Sequence, residues 1–180
     1  MPVAQVVGGV RWPADSTLVS ARCLLKVFKN PKYEVGSVAK REIINPPGVW
    51  DPDKVGPFIG KGVKEPASWS QVSKRGNFAV IAGQVGCTAD GTMPGDAYKQ
   101  MDLVYENLDK CLKAIGASWN DVMHLWFFST VYDEDYTNYW RKVVKKYIPG
   151  PPYPPMSGFG CTRLTWPWQK VEIQALVVTE

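Results

Sequence analysis

One histidine, His124, serves the whole chain of 180 residues. That scarcity excludes a multi-histidine zinc site, a two-histidine iron triad and an HExxH protease helix. Any Ser or Cys triad would have to use His124 itself. Cysteine is almost as rare. Cys23, Cys87, Cys111 and Cys161 are widely spaced with no CxxC pair, so they read as reduced, mostly buried small hydrophobes rather than a metal cage or a redox couple. No metal and no cofactor are expected. Long apolar runs are missing too: nothing approaches the roughly 20 residues that a membrane-spanning helix needs, and Met1 to Val10 lack the basic start and apolar stretch of a signal peptide. A soluble, cytoplasmic chain with no membrane partner is expected. Charge of one sign is also absent, with 21 Lys and Arg against 17 Asp and Glu for a formal +4. The basic residues are scattered rather than striped, which speaks against a nucleic-acid partner.

What is present is globular in type, with 45% apolar and 21% charged residues. The length suits one domain plus an appendage. Aromatics are abundant, at eight Trp, eight Tyr and six Phe, and they suit either a core or the wall of an apolar ligand pocket.

Residues 1 to about 40 show no clear period apart from a short apolar run at Leu24, Leu25, Val27 and Phe28, and read as an N-terminal extension ahead of a domain over 41–180. Breakers crowd the next segment, from Asn45-Pro46-Pro47-Gly48 to Lys64-Glu65-Pro66, which must run as extended chain and turns. An early strand is expected near Trp69–Lys74. Phe78 to Gln84 is a short apolar run of buried-strand type. Asp96 can cap a helix whose apolar positions Ala97, Met101, Val104, Leu108 and Cys111 recur at spacings of four and three, up to Gly116. Asp121–Val131 is apolar on both faces and reads as a central strand. Asp133 or Asp135 starts a second helix running to Tyr147. Two further strands, Ser157–Leu164 and Lys170–Val178, flank a turn around Trp166-Pro167-Trp168. Strands and helices in this order predict an α+β sandwich of two helices on one mixed sheet.

These ordered pieces resemble the YjgF/RidA family. The matching residues are Trp69-Ser70-Gln71-Val72, Arg75-Gly76-Asn77, Ala82-Gly83-Gln84-Val85-Gly86, Glu106-Asn107-Leu108, Asp135-Tyr136, Pro154-Pro155-Met156-Ser157, Arg163-Leu164 and Val171-Glu172-Ile173-Gln174-Ala175. They span residues 66–178. The resemblance implies a chorismate-mutase-like fold, a homotrimer with sites at its subunit interfaces, and hydrolysis of reactive enamines and imines.

Carried over residue by residue, the resemblance exposes departures. Met156 stands where the family's deaminases place a carboxylate-clamping arginine, and a thioether cannot make the bidentate, charge-assisted pair that holds a 2-imino acid. Arg163, seven residues on, is expected on the opposite face. Trp69 replaces a tyrosine, Ala82 a serine and Trp140 an asparagine, while Gly158 and Gly160 follow Met156 on its own face and offer room. This implies a larger, more apolar substrate pocket. The alternative is that the two glycines mark a bulge and Trp140 refills the vacated space.

The family's acidic residue is retained as Glu172. In an apolar pocket its carboxyl would be desolvated, with a raised pKa suited to general acid or base work; otherwise it is an exposed strand glutamate paired with Lys170. Tyr105, Tyr139, Tyr153, Cys161 and His124 are candidates for support. The expected function is a cofactor-independent acid/base enzyme acting on a relatively large hydrophobic small molecule, by isomerisation, dehydration, cyclisation or imine/enamine hydrolysis, in a biosynthetic setting. The alternatives are a 2-imino acid deaminase of the family's usual type and a non-catalytic ligand-binding or interaction module. Ribonuclease chemistry is disfavoured by the lack of a histidine pair and a basic stripe.

Overall fold

Strict alternation along Val171-Glu172-Ile173-Gln174-Ala175-Leu176-Val177-Val178 gives strand β8 two different faces and makes it an organising strand of the structure. Its odd-numbered residues are all buried and its even-numbered ones half-exposed. The computed structural model describes residues 6–7, 10–11, 39–51 and 69–180, and the chain divides into two units, 1–38 and 39–180. In the first, β1 (Val6–Val7) and β2 (Val10–Arg11) form an antiparallel pair. The expected Leu24–Phe28 element and residues 52–66 of the breaker-rich segment lie outside the described residues.

The second unit holds a six-stranded sheet of β3 (Glu42–Ile44), β4 (Val72–Arg75), β5 (Phe78–Val85), β6 (Val122–Ser129), β7 (Met156–Gly160) and β8 (Val171–Val178), in the order β3-β4-β5-β8-β6-β7. All neighbours are antiparallel except β6 and β7. That parallel pair needs a crossover, which helix α2 (Glu134–Tyr147) supplies. The two-helix sandwich on a mixed sheet is therefore as the pattern predicts. β3 is an addition: three residues carry too little alternation to announce a strand.

Helix α1 (Ala97–Ala114) starts where the Asp96 side chain accepts the Lys99 amide at 2.9 Å, and ends at Gly116, whose φ of +72° favours glycine. Met101, Val104, Tyr105, Leu108, Cys111 and Leu112 recur at helical spacing and are buried against β5 and β8. Each such side chain stabilises the fold by about 1.5–3 kcal/mol. Truncating Leu108 to Ala costs about 2–5 kcal/mol. α2 is capped by Asp133, which accepts the Tyr136 amide at 2.7 Å. This helix is less deeply set: only Tyr136 and Val143 are buried, whereas Tyr139, Trp140, Val144 and Tyr147 are half-buried.

Strand β7 departs from the expected Ser157–Leu164. It ends at Gly160 because its partner β6 ends at Ser129, opposite Gly160, and a single bond from Cys161 N to Ser129 O (2.7 Å) closes the ladder. Arg163 is exposed and lies beyond the strand, so strand parity does not set its direction.

Both helices cover the face bearing Val171, Ile173, Ala175 and Val177. The other face has no helix over it among the described residues and carries Trp126, Phe128 and Phe159, with the two phenylalanines stacked at 5.1 Å. No helix among the described residues is long and apolar enough to cross a membrane.

Candidate functional site

The seven site residues expected from the sequence fall into two groups. The first gathers at the end of β8. Glu172 lies opposite Val85 on one side and Phe128 on the other, on the open face. Its carboxylate crosses Gly83 so closely that a methyl group there would overlap it; only glycine leaves that space. The Gln169 side-chain amide donates to Glu172 Oε2 at 3.0 Å, and Gln169 Oε1 in turn accepts the Trp166 amide at 3.3 Å. Gln169 is 1% exposed, so this donor is fixed by burial. The alternative, an ion pair with Lys170, is not found among the described residues, where Glu172 accepts from Gln169.

Ala82 is part of the same group through its backbone. It sits in the register break between Ile81 and Gln84, its amide donating to Gln71 O at 2.8 Å and its carbonyl accepting from Gln84 Nε2 at 3.1 Å. Buried Gln84 also donates to Gln71 Oε1 at 2.6 Å, and Gln71 donates to Trp50 O at 2.7 Å. Trp69, 43% exposed, packs on Trp50 at 5.2 Å, and Trp50 meets Trp166 edge-on at 6.0 Å. The indole N–H groups of Trp50 and Trp166 and the Gln84 side-chain oxygen are buried without a partner among the described residues.

The second group lies on the helix-covered face. Met156 and Trp140 line a cavity of about 300 Å³ with Tyr105, Leu125, Val144 and Tyr153. They also border a smaller one of about 30 Å³ beside Phe127, Tyr132 and Tyr136. Gly158 faces Tyr132, whose hydroxyl stands 2.5 Å from where a Cβ would be, and Gly160 faces the same ring. The space the two glycines leave is thus partly taken by Tyr132. Trp140 donates its indole N–H to Tyr105 Oη at 2.8 Å. Burial holds the Tyr105 phenol well above its usual value, so this wall stays neutral.

Within one chain the two groups do not meet. Met156 pairs with Leu125 whereas Glu172 pairs with Phe128, three positions further along the intervening β6, and an odd offset reverses the face. Of the supporting candidates, Tyr105 and Tyr153 line the larger cavity. Tyr139 donates to Asp102 Oδ2 at 2.6 Å instead. His124 lies on the open face, its Nε2 3.3 Å from Ser157 Oγ and its ring 4.4 Å from that of Trp126. Cys161 is half-buried at the end of β7. Sequence reasoning missed Gln169 and Gly83. Gly83 was within reach, being part of the Ala82-Gly83-Gln84 run; Gln169 carries no signal beyond its position three residues before Glu172.

Two helices on one face of a mixed sheet, with a last-strand glutamate laid over a glycine, define the α+β, chorismate-mutase-like class. The sequence profile of the Endoribonuclease L-PSP family matches residues 62–179, and the chain belongs to that family, the YjgF/RidA proteins. It is 29% identical over 96 residues to the RutC family protein YjgH of Escherichia coli, covering 53% of this chain and 72% of that protein. It is 34% identical over 84 residues to a RutC family protein of Pyrococcus abyssi, covering 46% of this chain and 63% of that protein, so less than two thirds of that relative is spanned. In three dimensions it resembles yeast Mmf1, with a TM-score of 0.63 at 18% identity over 78% of this chain and 100% of that one.

Proposed function

We propose that the chain is a cofactor-independent acid/base enzyme acting on a relatively large hydrophobic small molecule. The observation that carries this reading is the cavity of about 300 Å³ walled by Trp140, Met156 and Tyr105, with Met156 standing where the family resemblance implies a carboxylate-clamping arginine. Its size is at the lower end of ligand pockets. The proton-transfer group is Glu172, positioned by Gln169 and by the bare backbone of Gly83. Since Glu172 and Met156 occupy opposite faces of one chain, the reading requires a homotrimer in which the open face of one copy brings its glutamate to the cavity of the next. Isomerisation, dehydration, cyclisation and imine/enamine hydrolysis all need only a placed carboxyl group and an apolar wall.

The decisive experiment mixes two inactive variants, Glu172→Gln and the cavity-filling Val144→Trp, under conditions that exchange subunits. Restored turnover in the mixture supports a site shared between copies. If the mixture stays inactive although mass spectrometry shows mixed assemblies, the shared site is wrong. The separation of the two groups within a chain also favours a second reading, a ligand-binding module without catalysis. That reading gains if Glu172→Gln changes no activity while Val144→Trp abolishes ligand binding.

A further inference from the structure

The larger cavity is not purely apolar at its mouth. Its α2 wall is formed by Trp140 and Val144 together with Arg141 and Lys145, four residues on one stripe at helical spacing, which the capping residue Ile148 continues. Arg141 and Lys145 are one turn apart, both exposed, and therefore stand at the rim with their apolar stems along the wall. Like charges at this spacing repel by a few tenths of a kcal/mol in an isolated helix. Nearby Lys146 resolves its charge on Asp102 at 3.1 Å. Neither Arg141 nor Lys145 has a carboxylate partner among the described residues; Arg141 makes one hydrogen bond, a neutral one of 3.3 Å to Asn138 Oδ1. Four of its five N–H donors are therefore available.

The interior below the rim offers little to a polar ligand. The indole N–H of Trp140 is spent on Tyr105, and apart from the phenol hydroxyls of Tyr105 and Tyr153 the rest of the wall below the rim is aliphatic or aromatic. A cavity of about 150 Å³ suffices to hold benzene, so this one holds an apolar body of about two fused rings or a branched acyl chain of similar bulk. Body and rim together specify one ligand class.

We propose that this cavity binds amphipathic monoanions, with the apolar body between Trp140 and Met156 and the carboxylate or other anionic head held at the rim by Arg141 and Lys145. The inference rests on the reading of this cavity as the substrate pocket and names the substrate's charge: the anchor that Met156 cannot provide from β7 is provided from α2. Arginine suits the role because its planar fork matches a carboxylate in two parallel hydrogen bonds.

The test uses 2-naphthoate and its neutral isostere 2-naphthamide as probes of the full chain, by calorimetry and by the NMR shift of the Met156 methyl group. Naphthoate is expected to bind at least tenfold more tightly than the amide, to move the Met156 resonance, and to lose that preference in Arg141→Ala/Lys145→Ala. Both substitutions are at exposed positions and leave the core intact, and unchanged naphthamide binding by the double variant confirms that the cavity has survived. Equal affinity for the two probes overturns the proposal, as does binding of neither, or a preference that persists in the double variant. Failure of the enzymatic reading looks different: naphthoate would still bind with its charge preference while Glu172→Gln left turnover unaltered.

Discussion

The two faces of the sheet solve different problems with the same alternating pattern. On the helix-covered face, β8 contributes Val171, Ile173, Ala175 and Val177, all at 1% exposure or less, and α1 seals them with side chains at helical spacing. On the open face the same strand contributes Glu172, Gln174, Leu176 and Val178, beside Trp126 and Phe128 of β6. One face is finished by the chain itself, whereas the other displays apolar and acidic groups that a single copy leaves half-exposed. A stripe of this composition is characteristic of an interface or a binding surface. The cavity is the exception on the finished side: α2 sits over β6 and β7 less closely than α1 sits over β5 and β8, and the unfilled volume lies beneath it.

The largest expected effect lies on the open face. Glu172→Gln should keep the melting temperature and lower turnover by about 10²- to 10⁴-fold, the range for losing a placed proton-transfer group; full activity would end the acid/base mechanism. Gly83→Ala should do nearly as much, since its methyl group displaces the carboxylate, while circular dichroism remains native. Next come the paired truncations that compare the faces directly. Ile173→Ala should cost about 2–5 kcal/mol in denaturant unfolding, and Leu176→Ala less than about 1 kcal/mol in the isolated chain. If both cost the same, the open face is covered as tightly as the other, and light scattering on Trp126→Glu should then show the assembly falling to a mass near the 20.1 kDa of one chain. Met156→Arg should weaken an apolar ligand about tenfold by placing a charge against it.

One further effect is confined to alkaline pH and leaves neutral-pH stability unchanged. Burial, assisted by the charge of Asp90, pushes the Cys87 thiol up to about 12, and burial does the same for Cys111 against the opposing charge of Lys110. In the unfolded chain these thiols ionise near pH 9, but the folded chain keeps them protonated until about 12. Stability should therefore be level from pH 7 to 8.5 and fall between 9 and 12, by up to about 1.4 kcal/mol per pH unit for each thiol. Cys87→Ser/Cys111→Ser should flatten that decline up to about pH 10, above which the phenols of Tyr105, Tyr136, Tyr139 and Tyr147, also held above their usual value, continue it.

Much of this was legible in residue spacing. α1 and α2 announced themselves through Asp96, Asp133 and apolar residues three and four apart, and β8 through its alternation. The end of β7 was not legible, because it is set by where β6 stops rather than by anything in Cys161 to Leu164. The separation of Glu172 from Met156 was hidden for the same kind of reason. Which faces two residues share depends on the register through a third strand, and Leu125↔Met156 against Phe128↔Glu172 is information held by the pairing. The role of Gln169 depends on a turn whose geometry its sequence does not specify.

The strand order carries a consequence for how the protein is made. β8 is the last strand in the chain and stands between β5 and β6, so until it arrives the sheet consists of two separate ribbons, β3-β4-β5 and β6-β7. A nascent chain can build the β6-α2-β7 crossover, and with it most of the cavity, from neighbouring residues as they emerge. The Gly83 and Glu172 junction must wait for a contact spanning nearly half the sequence, and such long-range closure is slow. A released chain that ends before Val171 therefore presents both ribbons with an unpaired edge, the state in which it is most exposed to wrong partners.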